Sequence, residues 1–253
     1  MRKRLFFTAL LCAAAACAAQ TGAPVLHVAA AADLQPVLPA LAEAYQRATG
    51  VKLVSSFGSS ATLTQQITNG DPQDVFLSAD MAHPQMLATS KLADGAPISY
   101  ATGKLVLWAR SDSPAQPLSL ASLTSVRVTR IAVANDTHAP YGLAATQSLH
   151  ALGIFDQVKP KLVIGENIAQ TAQLAESGNA QAALISLTLA NSAHFRALGS
   201  FVAIPDHAYL PLHQGAIVLK SSPQKALAHD FLRWLTSPKV QQKLPRFGLE
   251  PAS

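Results

Sequence analysis

The stretch Val25-Leu26-His27-Val28-Ala29-Ala30-Ala31-Ala32-Asp33-Leu34-Gln35-Pro36 decides the fold. An apolar run from Val25 to Ala30 has strand character. It ends in small residues and an Asp, and Leu38, Leu41 and Tyr45 then recur at helical spacing as far as Thr49-Gly50. The unit repeats at once: Val51 to Phe57 reads as a strand, Leu63 and Ile67 mark a helix ending at Asn69-Gly70, and Asp74 to Ser78 is a third strand. Strand-helix alternation of this kind predicts an α/β protein with mainly parallel sheets.

Further along, Leu105–Ala109 and Ala216–Leu219 are apolar runs about a hundred residues apart. The neighbourhoods of Tyr100–Gly103 and Pro211–Gly215 read as two crossings between lobes. Between them the pattern gives a strand at Ile131–Ala134, a helix near Leu143–Leu152, a strand at Leu162–Ile164, a helix at Ala169–Glu176 and a strand at Ala182–Leu187. A helix carrying Phe231, Leu235 and Val240 returns to the first lobe. The expected division is residues 25–103 and 213–253 for the first lobe and 104–212 for the second.

The N-terminus has the layout of a secretory leader: Arg2-Lys3-Arg4, an apolar stretch from Leu5 to about Ala16, and small residues through Ala19. Residues 1–19 are expected to be a signal peptide and the remainder periplasmic. Both cysteines, Cys12 and Cys17, lie in this leader, which removes thiol and disulfide chemistry from the rest. Acylation at Cys17 would want an aliphatic residue where Ala14 stands. The chain has 253 residues, 49% hydrophobic and 13% charged, enough for two cores. Its basic balance, 19 Lys+Arg against 14 Asp+Glu, falls to 16 against 14 without Arg2, Lys3 and Arg4. No basic run points to nucleic acid.

Four junctions share one design, a strand ending in small or polar residues where a helix begins: Ala31-Ala32-Asp33-Leu34, Gly58-Ser59-Ser60-Ala61, Ala139-Pro140-Tyr141-Gly142 and Glu166-Asn167-Ile168-Ala169. A helix N-terminus has backbone N–H groups without intrahelical partners and a partial positive charge. Several converging would hold an anion without Lys or Arg. Taken singly, such residues are ordinary caps; two from each lobe together point to a cleft.

These junctions, with Ser56-Phe57, Gln66-Ile67, Gly70-Asp71-Pro72, Asp74–Asp80 and Gln170-Thr171 in the same order, resemble the periplasmic molybdate-binding proteins of ABC transporters. The resemblance implies a two-lobed type II periplasmic binding-protein fold. It also implies a molybdate or tungstate oxyanion as ligand, no cofactor, no direct metal ligands, and delivery to an inner-membrane permease. By the same resemblance the oxyanion is held at Asp33, Ser60, Tyr141 and Ile168, with Ala32 and Ser59 behind them. Two departures stand out: some relatives carry a hydroxyl residue at Asp33, and some offer a tyrosine from the strand that here holds Ser186, which is therefore counted as the seventh expected oxyanion-binding residue.

Asp33 has two readings. Its side chain caps the following helix, the preferred one, or it accepts a hydrogen bond from a protonated ligand such as hydrogen phosphate. A hydrolase is the distant rival. No His pair stands at metal-ligand spacing and no Gly-x-Ser-x-Gly elbow occurs among the eight histidines and many serines. His138 is the one histidine expected near the cleft, as a solvated loop residue. Asp71, Asp74 and Asp80 are read as turn and strand-end residues, and Trp108 and Trp234 as core. Sulfate and phosphate remain open as ligands, and the protein is expected to be a monomer.

Overall fold

The computed structural model describes residues 23–252. The expected leader and both cysteines lie outside the described residues. The chain runs β1 (Val25–Ala31), a 3-10 turn (Ala32–Leu34), α1 (Leu38–Thr49), β2 (Lys52–Gly58), α2 (Ser60–Thr68), β3 (Val75–Ser78), α3 (Ala82–Thr89) and β4 (Ile98–Gly103). It continues with β5 (Leu105–Arg110), β6 (Ile131–Ala134), α4 (Pro140–Ala151), α5 (Phe155–Val158), β7 (Leu162–Gly165), α6 (Ile168–Glu176), β8 (Ala182–Ser186), α7 (Leu187–Ala190), α8 (Ala193–Leu198) and β9 (Gly199–Ala203). The last part holds β10 (Leu212–Val218), α9 (Lys225–Leu235), α10 (Pro238–Gln241) and β11 (Glu250–Pro251).

Two sheets result. The first has strand order β11-β4-β10-β3-β1-β2 and the second β7-β6-β8-β5-β9. β2, β1 and β3 are parallel, as are β7, β6 and β8, while β10 and β5 enter antiparallel. Parallel neighbours need helical crossovers, which cover the sheet faces and let the central strands be apolar throughout. Val75–Ser78 and Ala182–Ser186 are accordingly buried at every position. One core, with Tyr45, Phe231 and Leu244, fills one face of the first sheet, and Leu63, Phe76 and Leu87 fill the other. A third core centres on Trp108, Leu184 and Leu149 in the second sheet. Trp108 is fully buried and Trp234 packs on Tyr45 and Phe231, so both belong to cores.

Two expectations need correction. Tyr100–Gly103 and Pro211–Gly215 adjoin the crossings instead of making them: apart from Pro211, these residues belong to β4 and β10, which pair antiparallel. Their Ser, Thr, His and Gln break the apolar pattern that marks a strand, although the ladder supplies the backbone partners that stabilise them there. The chain passes between the sheets at Lys104 and again through 204–211. The C-terminal helix is also two helices, interrupted at Ser237-Pro238, where the missing N–H and fixed φ of proline start a new helix.

Parallel strands order their carboxyl ends alike. β1, β2 and β3 therefore end on one edge, β6, β7 and β8 end likewise in the second sheet, and the loops that follow meet between the sheets. This is where ligands bind in open α/β folds.

Candidate oxyanion site

Each helix that starts at the gap can be accounted for one N–H at a time. In α2, Ser59 caps the helix by accepting from Thr62 N–H at 3.2 Å, the Ser59 carbonyl accepts from Leu63 N–H, and Ala61 N–H donates across the gap to the His138 carbonyl at 3.1 Å. Ser60 N–H remains. In α4, Pro140 at the first position has no N–H, and Gly142 and Leu143 both donate to the Ala139 carbonyl. Tyr141 N–H remains. In α6, the Asn167 side chain accepts from Ala169 and Gln170 N–H at 3.0 Å each, and its carbonyl accepts from Thr171 N–H. Ile168 N–H remains. Capping thus satisfies these first turns except for one donor per helix, and those three have no acceptor among the described residues.

The three residues line one cavity together with Ala31, Ala32, Asp33, Gly58, Ser59, Ala79, Ala139, Pro140 and Asn167. Among the described residues no Lys or Arg is on its wall. The cavity measures about 10 Å³ as room for the centre of a water molecule. That is the scale of one water. Ser60 adds a hydroxyl: its Oγ accepts from Ala79 N–H at 3.1 Å, which leaves its own proton to donate. The first junction differs from the other three. A 3-10 turn follows β1, and α1 begins only at Leu38, so this loop brings Ala31, Ala32 and Asp33 to the wall without a regular helix N-terminus.

Asp33 is fully buried and its side chain does not cap a helix. Oδ2 accepts from Gln214 Nε2 at 2.6 Å and from the Tyr141 hydroxyl at 3.3 Å, whereas Oδ1 has no partner among the described residues. Burial drives its pKa up to about 7, against the opposing pull of the Gln214 and Tyr141 hydrogen bonds and of its own backbone N–H. The Tyr141 hydroxyl therefore serves Asp33 while its N–H lines the cavity. A Cβ at Gly103 would strike that hydroxyl, so the close approach needs glycine.

Six of the seven expected site residues, Ala32, Asp33, Ser59, Ser60, Tyr141 and Ile168, share this wall. Ser186 does not. It is buried beside it, caps α7 and bonds to the Thr188 hydroxyl at 2.8 Å; that hydroxyl donates to the Asp33 carbonyl at 2.7 Å. Gln214 and Thr188 were not legible as partners of Asp33, because they lie 181 and 155 residues from it. His138 is exposed and pairs with Glu166 at 3.0 Å. Asp71, Asp74 and Asp80 bond to turn and strand-end groups, Asp80 to His83 and Ser78. No group of three His, Cys, Asp or Glu able to hold a metal ion occurs among the described residues, and no described helix is long and apolar enough to cross a membrane.

Two lobes holding spare amide donors around a compact gap define a solute-binding protein, and the family described as bacterial extracellular solute-binding protein matches residues 26–250. The chain is 33% identical to molybdate-binding protein ModA of Azotobacter vinelandii over 234 residues, 92% of each. It is 33% identical to ModA of Rhodobacter capsulatus over 201 residues, 79% of this chain and 78% of that one. The solved structure of the Azotobacter vinelandii periplasmic molybdate-binding protein superposes with a TM-score of 0.82 at 32% identity, covering 90% of this chain and 100% of that chain. The sulfate-binding protein SubI of Mycobacterium tuberculosis shares the fold at 14% identity, with a TM-score of 0.77. The chain belongs to the bacterial extracellular solute-binding proteins, among the relatives of ModA.

Proposed function

We propose that this protein is the substrate-binding component of an ABC importer that captures molybdate or tungstate in the periplasm and hands it to an inner-membrane permease. The observation that carries the reading is the one spare N–H left at the start of α2, α4 and α6, all three lining a cavity without a cationic side chain. Such donors suit a dianion, since each hydrogen bond is charge-assisted and is strengthened when closure removes water. The relatives named as molybdate-binding proteins cover most of the chain and favour that anion over sulfate or phosphate. What supports binding as the role is the match to a family of solute-binding proteins along nearly the whole chain.

We read residues 25–103 with 213–253, and 104–212, as lobes that hinge at the two crossings and close on the ligand, as a monomer. Ser60, Tyr141 and Ile168 donate their amides, Ser60 its hydroxyl as well, and Ala32, Asp33 and Ser59 complete the enclosure. Calorimetric titration with molybdate, tungstate, sulfate, phosphate and vanadate tests this. Tight binding of the first two, with weak or no heat from the others, is expected; a preference for phosphate or sulfate would overturn the ligand assignment.

A further inference from the structure

We infer that the Asp33 carboxyl takes up a proton when the cleft closes on a dianion, so that capture of the guest and capture of one proton are a single event. The inference rests on the oxyanion reading and adds to it a proton-linked step. The proton comes from solvent, and the only covalent bond formed is the O–H of the neutral acid.

The first support is a count of hydrogens. Within the buried cluster, Gln214 Nε2 donates to Asp33 Oδ2 and to the Tyr141 oxygen, and the Tyr141 hydroxyl donates to Asp33 Oδ2. Two buried acceptors, Asp33 Oδ1 and Gln214 Oε1, are left with no donor. A buried polar atom without a partner is costly, and a cluster with surplus acceptors is short of hydrogens. One proton on the carboxyl turns an acceptor into a donor, directed either to Gln214 after an amide flip or into the cavity that Asp33 lines.

The second support is charge. The groups facing Asp33 offer it no cation. On α4 there is Tyr141 and on β4 Tyr100, both held neutral by burial, which raises each hydroxyl well above its ordinary value. Asp80, beyond β3, adds negative charge to the same neighbourhood through Tyr100. His213 on β10 turns to Thr102 instead, α7 carries no ionisable side chain, and those on α6 and β2, Glu176 and Lys52, stand at the ends away from the turn. A second and third negative charge arriving with the guest would face a carboxylate in a dry gap, where repulsion is large.

The sign follows. Burial already holds the acid at about 7 without a guest, and a dianion beside it can only push it higher. A group whose pKa rises on binding favours the complex below its free-state value, and affinity is lost as pH climbs toward the bound-state value, by up to about tenfold per unit.

Calorimetry of the purified protein with molybdate at about pH 6, 7, 8 and 9, in buffers of contrasting ionisation heat, tests this. Molybdate stays a dianion over that range. We expect close to one proton taken up per molybdate near pH 8 and an affinity that falls at least about tenfold between pH 7 and 9. Asp33→Asn should abolish both. Molybdate binding that is flat with pH and exchanges no proton would overturn the inference and leave the oxyanion reading standing, as would an Asp33→Asn variant with the same pH dependence as the native protein. No binding at any pH would overturn the oxyanion reading itself, and this inference with it.

Discussion

Two buried aspartates at opposite ends of the first sheet show what separates support from function. Asp74 precedes β3 at the edge away from the gap; its two oxygens accept from the His27 N–H at 2.7 Å and from the Ser222 hydroxyl at 2.5 Å. Asp33 follows β1 at the edge that faces the gap, and one of its oxygens has nothing. The fold satisfies the first carboxylate completely and leaves the second with unused capacity. A buried group that is fully bonded holds elements together; one left short of partners beside a cavity is available to a guest.

The comparison can be broken by mutation. Asp74→Ala strands the buried Ser222 hydroxyl and leaves the His27 N–H without its acceptor at once. It should cost about 3–5 kcal/mol in denaturant unfolding while leaving the affinity of the surviving folded protein unchanged. Asp33→Asn should act in the opposite sense. The acid titrates at about 7 in the folded chain against 3.8 for an ordinary aspartate, so its burial is harmless below the lower value and penalises folding progressively as pH rises to the upper one. The variant should therefore gain about 2–4 kcal/mol of stability near pH 8 and almost nothing near pH 4, as read from urea melts at both. If Asp33→Asn were destabilising at pH 8, the contrast between the two residues would be wrong.

How much of this the sequence disclosed depended on the range of the interaction. β1, β6, β7 and the helices after them were legible because apolar periodicity is local, and Ile131–Ala134 is a strand with the bounds its four apolar residues imply. β4 and the first half of β10 were not, because Ser99-Tyr100-Ala101-Thr102 and His213-Gln214 carry no alternation and owe their conformation to each other across the sheet. The same limit governs the site. Ser60, Tyr141 and Ile168 were marked by junctions read within a few residues. The environment of Asp33 is made by Gln214, Tyr141 and Thr188, each more than a hundred residues away in the chain. A local reading could see a cap or a ligand acceptor there, but not the cluster that buries the carboxyl.

Smaller effects sharpen the picture on the cavity side. Ser60→Ala removes a hydroxyl whose proton is free, and it should weaken molybdate binding by about 1.5–3 kcal/mol in calorimetry, while the buried Ala79 N–H that it strands should cost about 1–3 kcal/mol in denaturant unfolding. Tyr141→Phe keeps the amide and removes only the hydroxyl that joins the lobes through Asp33, so a loss of about 1 kcal/mol in affinity is expected. A larger loss from Tyr141→Phe than from Ser60→Ala would mean that the tyrosine hydroxyl, rather than the main chain, meets the ligand.

The most direct measurement is a crystal structure of the protein grown with molybdate. The account predicts one anion between the two sheets, within hydrogen-bond distance of the Ser60, Tyr141 and Ile168 amides and touching no Lys or Arg. An anion held instead by surface cations, with those three amides still unpaired, would contradict it.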